Sequence, residues 1–222
     1  SPGPDNLVCR AAAALQERTG LRRGARMLLK KRIPSEAGLG GGSADCAAAL
    51  RLLCRLWQVS LPEEELLSIG LKLGADVPFC LTNRFARVKG VGEQIEPLPG
   101  AQNLPLVILK PRAGVSTPAA FRLLDERFSQ KPKRDLDSAL FALSNKDWEQ
   151  FARCAGNDLL LPALELAPEI RSCIALLRES GAFYADMTGS GSAVFGVFAD
   201  GQSARSAAEA IGPGAFAVHT LA

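Results

Sequence analysis

The apolar residues of the chain recur with two spacings, that of a helix and that of a strand. Between residues 6 and 20, Leu7, Ala11 and Leu15 fall on one helical face, and Gly20 follows as a stop signal. The pattern therefore predicts a helix over 6–20. The same spacing predicts further helices at 43–57, 62–73, 138–143, 147–151, 168–180 and 203–211.

Shorter apolar runs predict strands. Segment 26–33 alternates weakly and is ended by Pro34, while 85–91 and 94–98 predict a hairpin around 90–93. Further strands are predicted at 104–110, 184–187, 192–198 and 216–221, and a polar loop at 129–137. Because helices and strands are mixed without strict alternation, the pattern favours an α+β fold. Segment 99–103 is the predicted boundary between two halves.

Composition excludes several classes of protein. The net charge of +3, from 26 basic and 23 acidic residues, is too small and too scattered for a nucleic-acid surface. No apolar stretch is long enough to cross a bilayer, and residues 1–5 do not open a signal peptide. The six cysteines form no CxxC pair, and with one histidine they predict no zinc site. They are expected to be free, buried thiols in a reducing cytoplasm.

The first candidate site is the glycine run Gly38-Leu39-Gly40-Gly41-Gly42-Ser43, between a predicted strand and a predicted helix. Its glycines permit positive φ and leave backbone amides accessible, and the helix N-terminus adds free N–H groups. The run thus predicts a cradle for a polyphosphate, with Ser43 capping the helix or holding a metal-bound oxygen.

Two other phosphate motifs do not fit this run, because no lysine follows the glycines and their spacing is not that of a dinucleotide fold. A flexible turn with a serine cap is the structural alternative.

The second candidate is Asp76, in a turn that follows the helix 62–73. Gly74 would cap that helix, and Pro78 is expected to hold Val77 extended. A carboxylate on a rigid turn beside a phosphate site can orient or deprotonate a hydroxyl nucleophile. The alternative is an aspartate that hydrogen-bonds its own turn.

The third candidate is a second glycine run, Thr188-Gly189-Ser190-Gly191-Ser192, between two predicted strands. It is either a tight turn whose amides face an anion or a plain hairpin turn.

These segments, in this order, resemble the GHMP kinases. The triple glycine followed by Ser43-Ala44-Asp45-Cys46-Ala47-Ala48 resembles in particular the 4-diphosphocytidyl-2-C-methyl-D-erythritol kinases. Segments 4–8, 33–43, 73–79, 90–93, 111–121, 157–159 and 187–191 carry the resemblance over essentially the whole chain.

The resemblance implies that ATP, with Mg²⁺, phosphorylates the 2-hydroxyl of 4-diphosphocytidyl-2-C-methyl-D-erythritol in the non-mevalonate isoprenoid pathway. It implies that Asp76 is the catalytic base and that an aromatic ring stacks on cytosine. The implied ATP-binding residues are Asn6 and Lys31 at the adenosine and Pro34, Gly38, Leu39, Gly40, Gly41, Gly42 and Ser43 at the triphosphate, with Ser43 also at the metal. The implied substrate-binding residues are Thr117, Phe121, Gly189, Ser190 and Gly191.

The resemblance also implies two halves with the nucleotide in the cleft between them. Residues 1–100 would form the ATP-binding half, similar to domain 2 of ribosomal protein S5 but short of its first strands, and 101–222 a ferredoxin-like half. The chain departs from the family pattern in lacking an opening strand with a lysine, lacking a Gly-Tyr-His segment, and carrying Ala44 in place of serine. Weak or no turnover is therefore expected of this chain. Its one histidine, His219, is expected at the surface or in a sheet.

Three other functions stay open at this point. One is another GHMP kinase, acting on homoserine or mevalonate, against which the triple glycine and the run 114–118 argue. Another is a non-catalytic nucleotide-binding module, which the absent lysine favours. The third is an RNA-binding protein with the same fold as the S5 domain, against which the weak charge argues. The expected partner is a small molecule, neither nucleic acid nor membrane, and the oligomeric state is left open.

Overall fold

The structure is a computed structural model that describes residues 3–99, 103–128 and 134–221. The chain divides into two compact units. The first contains the described residues up to Ile33 together with Gly40–Pro99, and the second contains Pro34–Leu39 together with the described residues after 102. Segment Pro34–Leu39 thus belongs to the second unit, although its neighbours in sequence on both sides belong to the first.

The first unit is a helical layer with one hairpin. Its core is formed by the apolar faces of its helices, where Leu15, Leu50, Trp57 and Leu81 are buried. The elements are α1 Leu7–Thr19, α2 Gly41–Trp57, α3 Glu63–Leu73, α4 Val77–Thr82, β1 Ala86–Lys89 and β2 Gln94–Pro97, the last two paired antiparallel.

The second unit is a four-stranded antiparallel sheet with helices. Its elements are β3 Pro105–Leu109, α5 Thr117–Arg127, α6 Leu136–Ser144, α7 Trp148–Cys154, α8 Leu160–Leu166, α9 Glu169–Glu179, β4 Tyr184–Met187, β5 Val194–Val197, α10 Gly201–Ile211 and β6 Ala215–His219. The strand order is β4–β5–β3–β6. This is the ferredoxin-like topology, as predicted. In it, one strand is followed by a helical crossover, a β-hairpin, a second helix and a last strand. Exposed His219 ends β6, which also agrees with its prediction.

Most predicted elements are confirmed, with ends that shift by a few residues. For α1, Asn6 is the N-cap and its side chain accepts a hydrogen bond from Val8 N at 3.0 Å. Gly20 closes the helix with φ 70° and donates its N–H to Gln16 O. Strand β4 has the predicted bounds, and the hairpin β1–β2 forms where it was expected.

The predicted strand at 26–33 is wrong. No helix or strand is assigned between residues 20 and 32, and Leu28 is 84% exposed. A strand exists only where its backbone pairs with a neighbour. Among the described residues, no strand pairs with this segment.

Three other local predictions need correction. Val77 is not extended but begins α4, since proline is tolerated in the first turn of a helix, where its missing N–H costs no bond. Helix α2 begins at Gly41 rather than at Ser43. The predicted loop 129–137 lies in part outside the described residues, and at its end Leu136 already begins α6.

The cysteines are free, but most of them are not buried. Only Cys46 is fully buried, and Cys9 is exposed. Burial raises the pKa of the Cys46 thiol to about 11. Because a thiol with so high a pKa holds its proton at neutral pH, Cys46 behaves as a small apolar side chain of the first core.

Candidate functional site

Among the described residues, nothing accepts a hydrogen bond from the amide groups in the first turn of α2. Gly40, with φ 62°, holds the N-cap position, and no side chain caps the helix. The first N–H to bond within the helix is that of Ala44, which donates to Gly40 O at 2.9 Å. The N–H groups of Gly41, Gly42 and Ser43 therefore point out of the helix end, where the helix dipole favours an anion.

Ser43 does not cap α2, which corrects one of its predicted roles. It is the third residue of the helix, where Gly40 holds the N-cap position, and its hydroxyl makes no capping hydrogen bond. The side chain is half-buried.

Close packing requires a glycine at the start of α2. A Cβ atom on Gly41 would lie 2.8 Å from Ile33 Cγ2, well inside van der Waals contact. A Cβ atom on Gly42 would lie 3.6 Å from Leu7 Cδ1, an ordinary contact. The start of α2 is thus held against Ile33 and against the first residue of α1.

Lys31 and Asn6, the two residues predicted at the adenosine, lie near this helix end. The Lys31 ammonium forms an ion pair with Asp45, which is in the second turn of α2. Asn6 immediately precedes Leu7, the residue that faces Gly42. The side-chain oxygen of Asn6 caps α1. The first unit therefore gathers Asn6, Lys31 and the residues 41–43 around one helix end. Their role toward a nucleotide stays a prediction.

Asp76 presents an exposed carboxylate at the start of α4. Its backbone is helical, with φ −86° and ψ −10°, and its side chain makes no capping hydrogen bond. The alternative in which this aspartate bonds its own turn is therefore not what the structure shows. Burial and, secondarily, the Asp76 charge raise the pKa of the Cys80 thiol one turn along.

The tip of the hairpin β1–β2 packs against the Asp76 turn. Gly92 has φ 111°, and a Cβ atom there would overlap the Ala75 carbonyl oxygen and lie 2.9 Å from its carbon. Within the tip, the Glu93 carboxylate accepts a hydrogen bond from Val91 N at 2.7 Å. The hairpin tip 90–93, which the sequence pattern predicted as a turn, thus packs against the turn that carries Asp76.

In the second unit, segment 36–38 pairs with the second glycine run. Ser192 N donates to Glu36 O and Ala193 N to Ala37 O, both at 3.1 Å. Thr188 Oγ1 donates to Gly38 O at 3.0 Å, although the two residues are 150 positions apart in sequence. The structure therefore brings the beginning of the first glycine run directly onto the second.

Gly38 allows this approach. Its φ is 68°, and a Cβ atom there would lie 2.7 Å from Gly191 N and closer still to the Thr188 carbonyl oxygen. Both the backbone angle and the lack of space exclude a side chain.

Asn157 holds the second glycine run in place, a role that sequence reasoning missed. Its Nδ2 donates to Met187 O at 2.9 Å and to Gly189 O at 2.7 Å, while its Oδ1 accepts from Leu159 N at 2.9 Å. One amide side chain thus anchors one carbonyl group of the run and the carbonyl group of the residue just before it. The only sequence signal was the match of segment 157–159 to the family pattern.

Replacing Asn157 by aspartate should destabilise the second unit by about 1–3 kcal/mol, because two carbonyl oxygens lose their donor and face a negative charge. The side chain keeps its size and its bond to Leu159 N. Urea denaturation measures the change. As the control, Asn145→Asp alters an exposed asparagine just after α6, whose amide donates to a single carbonyl, Phe141 O. Equal losses in the two variants would contradict a special role for Asn157.

Thr117 and Phe121 lie on one face of α5, one turn apart. Thr117 Oγ1 is 2.6 Å from Ser190 Oγ, so α5 begins at the second glycine run. The Phe121 side chain is 50% exposed, and its ring is available for stacking. The second unit thus gathers the predicted residues Thr117, Phe121 and 189–191.

Two family models match the chain. The GHMP kinases N terminal domain matches residues 6–84, and the GHMP kinases C terminal domain matches residues 139–217.

The curated relatives are named 4-diphosphocytidyl-2-C-methyl-D-erythritol kinase. The protein of Rhizobium johnstonii is 44% identical over 207 residues, which are 93% of this chain and 67% of the relative. That of Cereibacter sphaeroides is 47% identical over 212 residues, which are 94% of this chain and 72% of the relative.

Solved structures agree with these matches. A 4-(cytidine 5'-diphospho)-2C-methyl-D-erythritol kinase superposes with a TM-score of 0.84 at 37% identity, over 99% of this chain and 80% of the other. A homoserine kinase of Cytophaga hutchinsonii superposes with a TM-score of 0.69 at 18% identity, over 98% of this chain and 77% of the other. The second likeness concerns the fold alone.

Proposed function

The chain belongs to the GHMP kinases and, among them, to the 4-diphosphocytidyl-2-C-methyl-D-erythritol kinases, and we propose that it transfers the γ-phosphate of ATP to the 2-hydroxyl of 4-diphosphocytidyl-2-C-methyl-D-erythritol. The reaction belongs to the non-mevalonate route to isoprenoid precursors. The observation that carries the proposal is the uncapped first turn of α2, in which three successive N–H groups face outward beside a glycine N-cap.

We propose that these amides bind the triphosphate of ATP. Donors fixed by a helix stabilise the charge that develops on the transferred phosphoryl group without having to reorient. Pro34, Gly38, Leu39 and Gly40 lead into this turn. Asn6 and Lys31 would contact the adenosine, and residues 1–100 and 101–222 would be the ATP-binding half and the C-terminal half.

Magnesium would be held mainly by phosphate oxygens. Within the described ranges, no group of three or more acidic, histidine or cysteine side chains is arranged to hold a metal ion. The Ser43 hydroxyl, half-buried beside the free amides, is the protein oxygen that fits best. When bound, the ion neutralises charge on the phosphates.

Asp76 would act as the general base. Its carboxylate is exposed and makes no capping bond, so it can accept the proton of the substrate hydroxyl as that oxygen attacks the γ-phosphorus. The bond from the γ-phosphorus to the bridging oxygen breaks, ADP leaves, and the proton stays on Asp76 until solvent removes it.

Thr117, Phe121 and the run Gly189, Ser190 and Gly191 would bind the acceptor substrate. The exposed Phe121 ring supplies a flat apolar face for cytosine. The Ser190 and Thr117 hydroxyls, in mutual contact, supply polar groups beside it. We place the enzyme in the cytoplasm, a reducing compartment in which free cysteines such as those of this chain persist. Among the described residues, every helix is too short or too polar to cross a bilayer.

The test is a substrate comparison. The full gene product is incubated with ATP and magnesium and with the cytidylyl alcohol, homoserine or mevalonate, and ³¹P NMR follows the new phosphomonoester. Phosphorylation of the cytidylyl alcohol alone is the expected result, and turnover of only another alcohol would contradict the proposal. Calorimetric titration of an ATP analogue into the 222-residue chain adds a second readout. If the chain binds the analogue and the full gene product phosphorylates none of the three alcohols, the protein is a non-catalytic nucleotide-binding module.

A further inference from the structure

A cavity of about 400 Å³ lies in the second unit among the end of α7, the helices α8 and α9, and strand β4. Leu160, Leu164 and Ile174 give it apolar walls, and three arginines line it: Arg134, Arg171 and Arg178. Among the described residues that line the cavity, only Asn157 also hydrogen-bonds the second glycine run, at Gly189 O. None of the described residues that line the cavity is among those proposed above to bind ATP or the alcohol, although Asn157 connects it to Gly189, one of the proposed substrate contacts.

Helix α9 turns one face toward this cavity. Residues Arg171, Ile174, Ala175 and Arg178 line it, at spacings of three, four and seven positions that fall on one side of a helix. Arg171 and Arg178 are two turns apart, about 10 Å along the axis. Long arginine side chains from these positions can converge on a single ligand between them.

Arg171 and Arg178 differ from Arg134 in their ion pairing. Over residues 3–99, 103–128 and 134–221, no ion pair includes either of them. Arg178 donates to a neutral acceptor, Ala185 O, at 3.2 Å. Arg134, in contrast, is paired with Asp158 at 3.1 Å. Two of the three arginine charges in the cavity wall are thus left uncompensated by salt bridges.

The one buried acid in the cavity wall already has hydrogen-bond donors. Asp186 is 7% exposed and accepts from Tyr184 Oη at 2.8 Å and from Met187 N at 2.7 Å. Burial, and then the charge of Asp186, raise the pKa of Tyr184, so its hydroxyl remains a donor. Each carboxylate oxygen thus has a donor from the same strand, and no ion pair among the described residues joins Asp186 to an arginine.

We propose that this cavity is a second ligand site, which binds a small organic phosphate with its anionic group between Arg171 and Arg178 and its apolar part against Leu160, Leu164 and Ile174. Guanidinium groups bind phosphate oxygens through paired hydrogen bonds. Two guanidinium groups together have more N–H donors than one carboxylate has acceptor sites, which favours a phosphate over a carboxylate as the ligand group. The apolar walls favour a ligand with a hydrocarbon or aromatic body over inorganic phosphate.

Calorimetric titration of phenyl phosphate into the chain tests this site, with the triphosphate site first saturated by an ATP analogue and magnesium. One saturable site is expected. The double variant Arg171→Ala, Arg178→Ala should weaken binding at least about tenfold, while Arg205→Ala, an exposed arginine of α10, should leave it unchanged. No binding of phenyl phosphate to the saturated chain, or equal binding by the double variant, would overturn the proposal.

A matched pair of substitutions at Ala175 separates charge from shape. Ala175 is exposed and lines the cavity, so a longer side chain is tolerated by the fold. Ala175→Glu should weaken phenyl phosphate binding several-fold more than Ala175→Gln, because the two differ mainly in charge. Equal effects of the pair would contradict an anion site. The readout is binding rather than turnover. A failure of the second ligand site therefore leaves the proposed kinase activity unaffected, and a failure of the kinase proposal leaves this site unaffected.

Discussion

Replacing Asp76 by asparagine should lower kcat by about 10²–10⁴-fold, the usual contribution of a general base. Asparagine keeps the size of the side chain but cannot accept the proton of the alcohol. Because the Asp76 side chain is exposed and makes no capping bond, the fold should tolerate the change. The affinity for an ATP analogue should stay within about a factor of three, since the base acts on the acceptor and not on the nucleotide. Steady-state assays of the full gene product and calorimetric titration measure the two quantities.

A matched control for Asp76 is Asp147→Asn. Asp147 is also at a helix N-cap, where its side chain accepts from Gln150 N at 3.0 Å. Asparagine caps helices about as well as aspartate does, so this variant removes one negative charge while the cap remains. Its kcat should match that of the parent protein. A kcat for Asp76→Asn as high as that of the control would remove Asp76 from the role of base.

The second large effect is expected at Gly38. A side chain there would clash with the backbone of residues 188–191, and the φ of 68° is itself unfavourable for alanine. Gly38→Ala should therefore separate segment 36–38 from the second glycine run. The left-handed conformation costs about 1–2 kcal/mol and the steric clash about 1–3 kcal/mol more in the free energy of unfolding. The affinity for an ATP analogue should fall with it, because the same segment leads into the first turn of α2.

Gly20→Ala isolates the steric part of this effect. Gly20 has nearly the same backbone angle, φ 70°, but a Cβ atom added to it would have no neighbour within 4 Å. It lies at the end of α1, away from the free amides of α2. Urea denaturation of both variants should show a clearly larger loss for Gly38→Ala, and only that variant should lose nucleotide affinity. Equal losses would mean that the contact between the two glycine runs adds no stability.

Local patterns were sufficient where an element is stabilised mainly by its own residues. The helix α1 has an apolar stripe, an asparagine N-cap and a glycine stop, and each is visible in the sequence. Local patterns were insufficient where a distant neighbour decides the conformation. Segment 26–33 alternates like a strand but has no pairing partner among the described residues. Helix α5 was missed because only Ala120 and Leu124 of it are buried, too narrow a stripe to stand out.

The sequence by itself determined the kinds of group available for chemistry: two glycine runs, an aspartate in a proline-containing turn, and their order along the chain. These features are local, and glycine, proline and aspartate constrain the backbone wherever they occur. Only the tertiary structure decided which groups meet. The hydrogen bond from Thr188 to Gly38 joins residues that are 150 positions apart. The hydrogen bond from Asn157 to Gly189 joins residues that are 32 positions apart. Such backbone contacts leave no periodic signal, because hydrophobic spacing reports which face of an element is buried and not which loop lies against it.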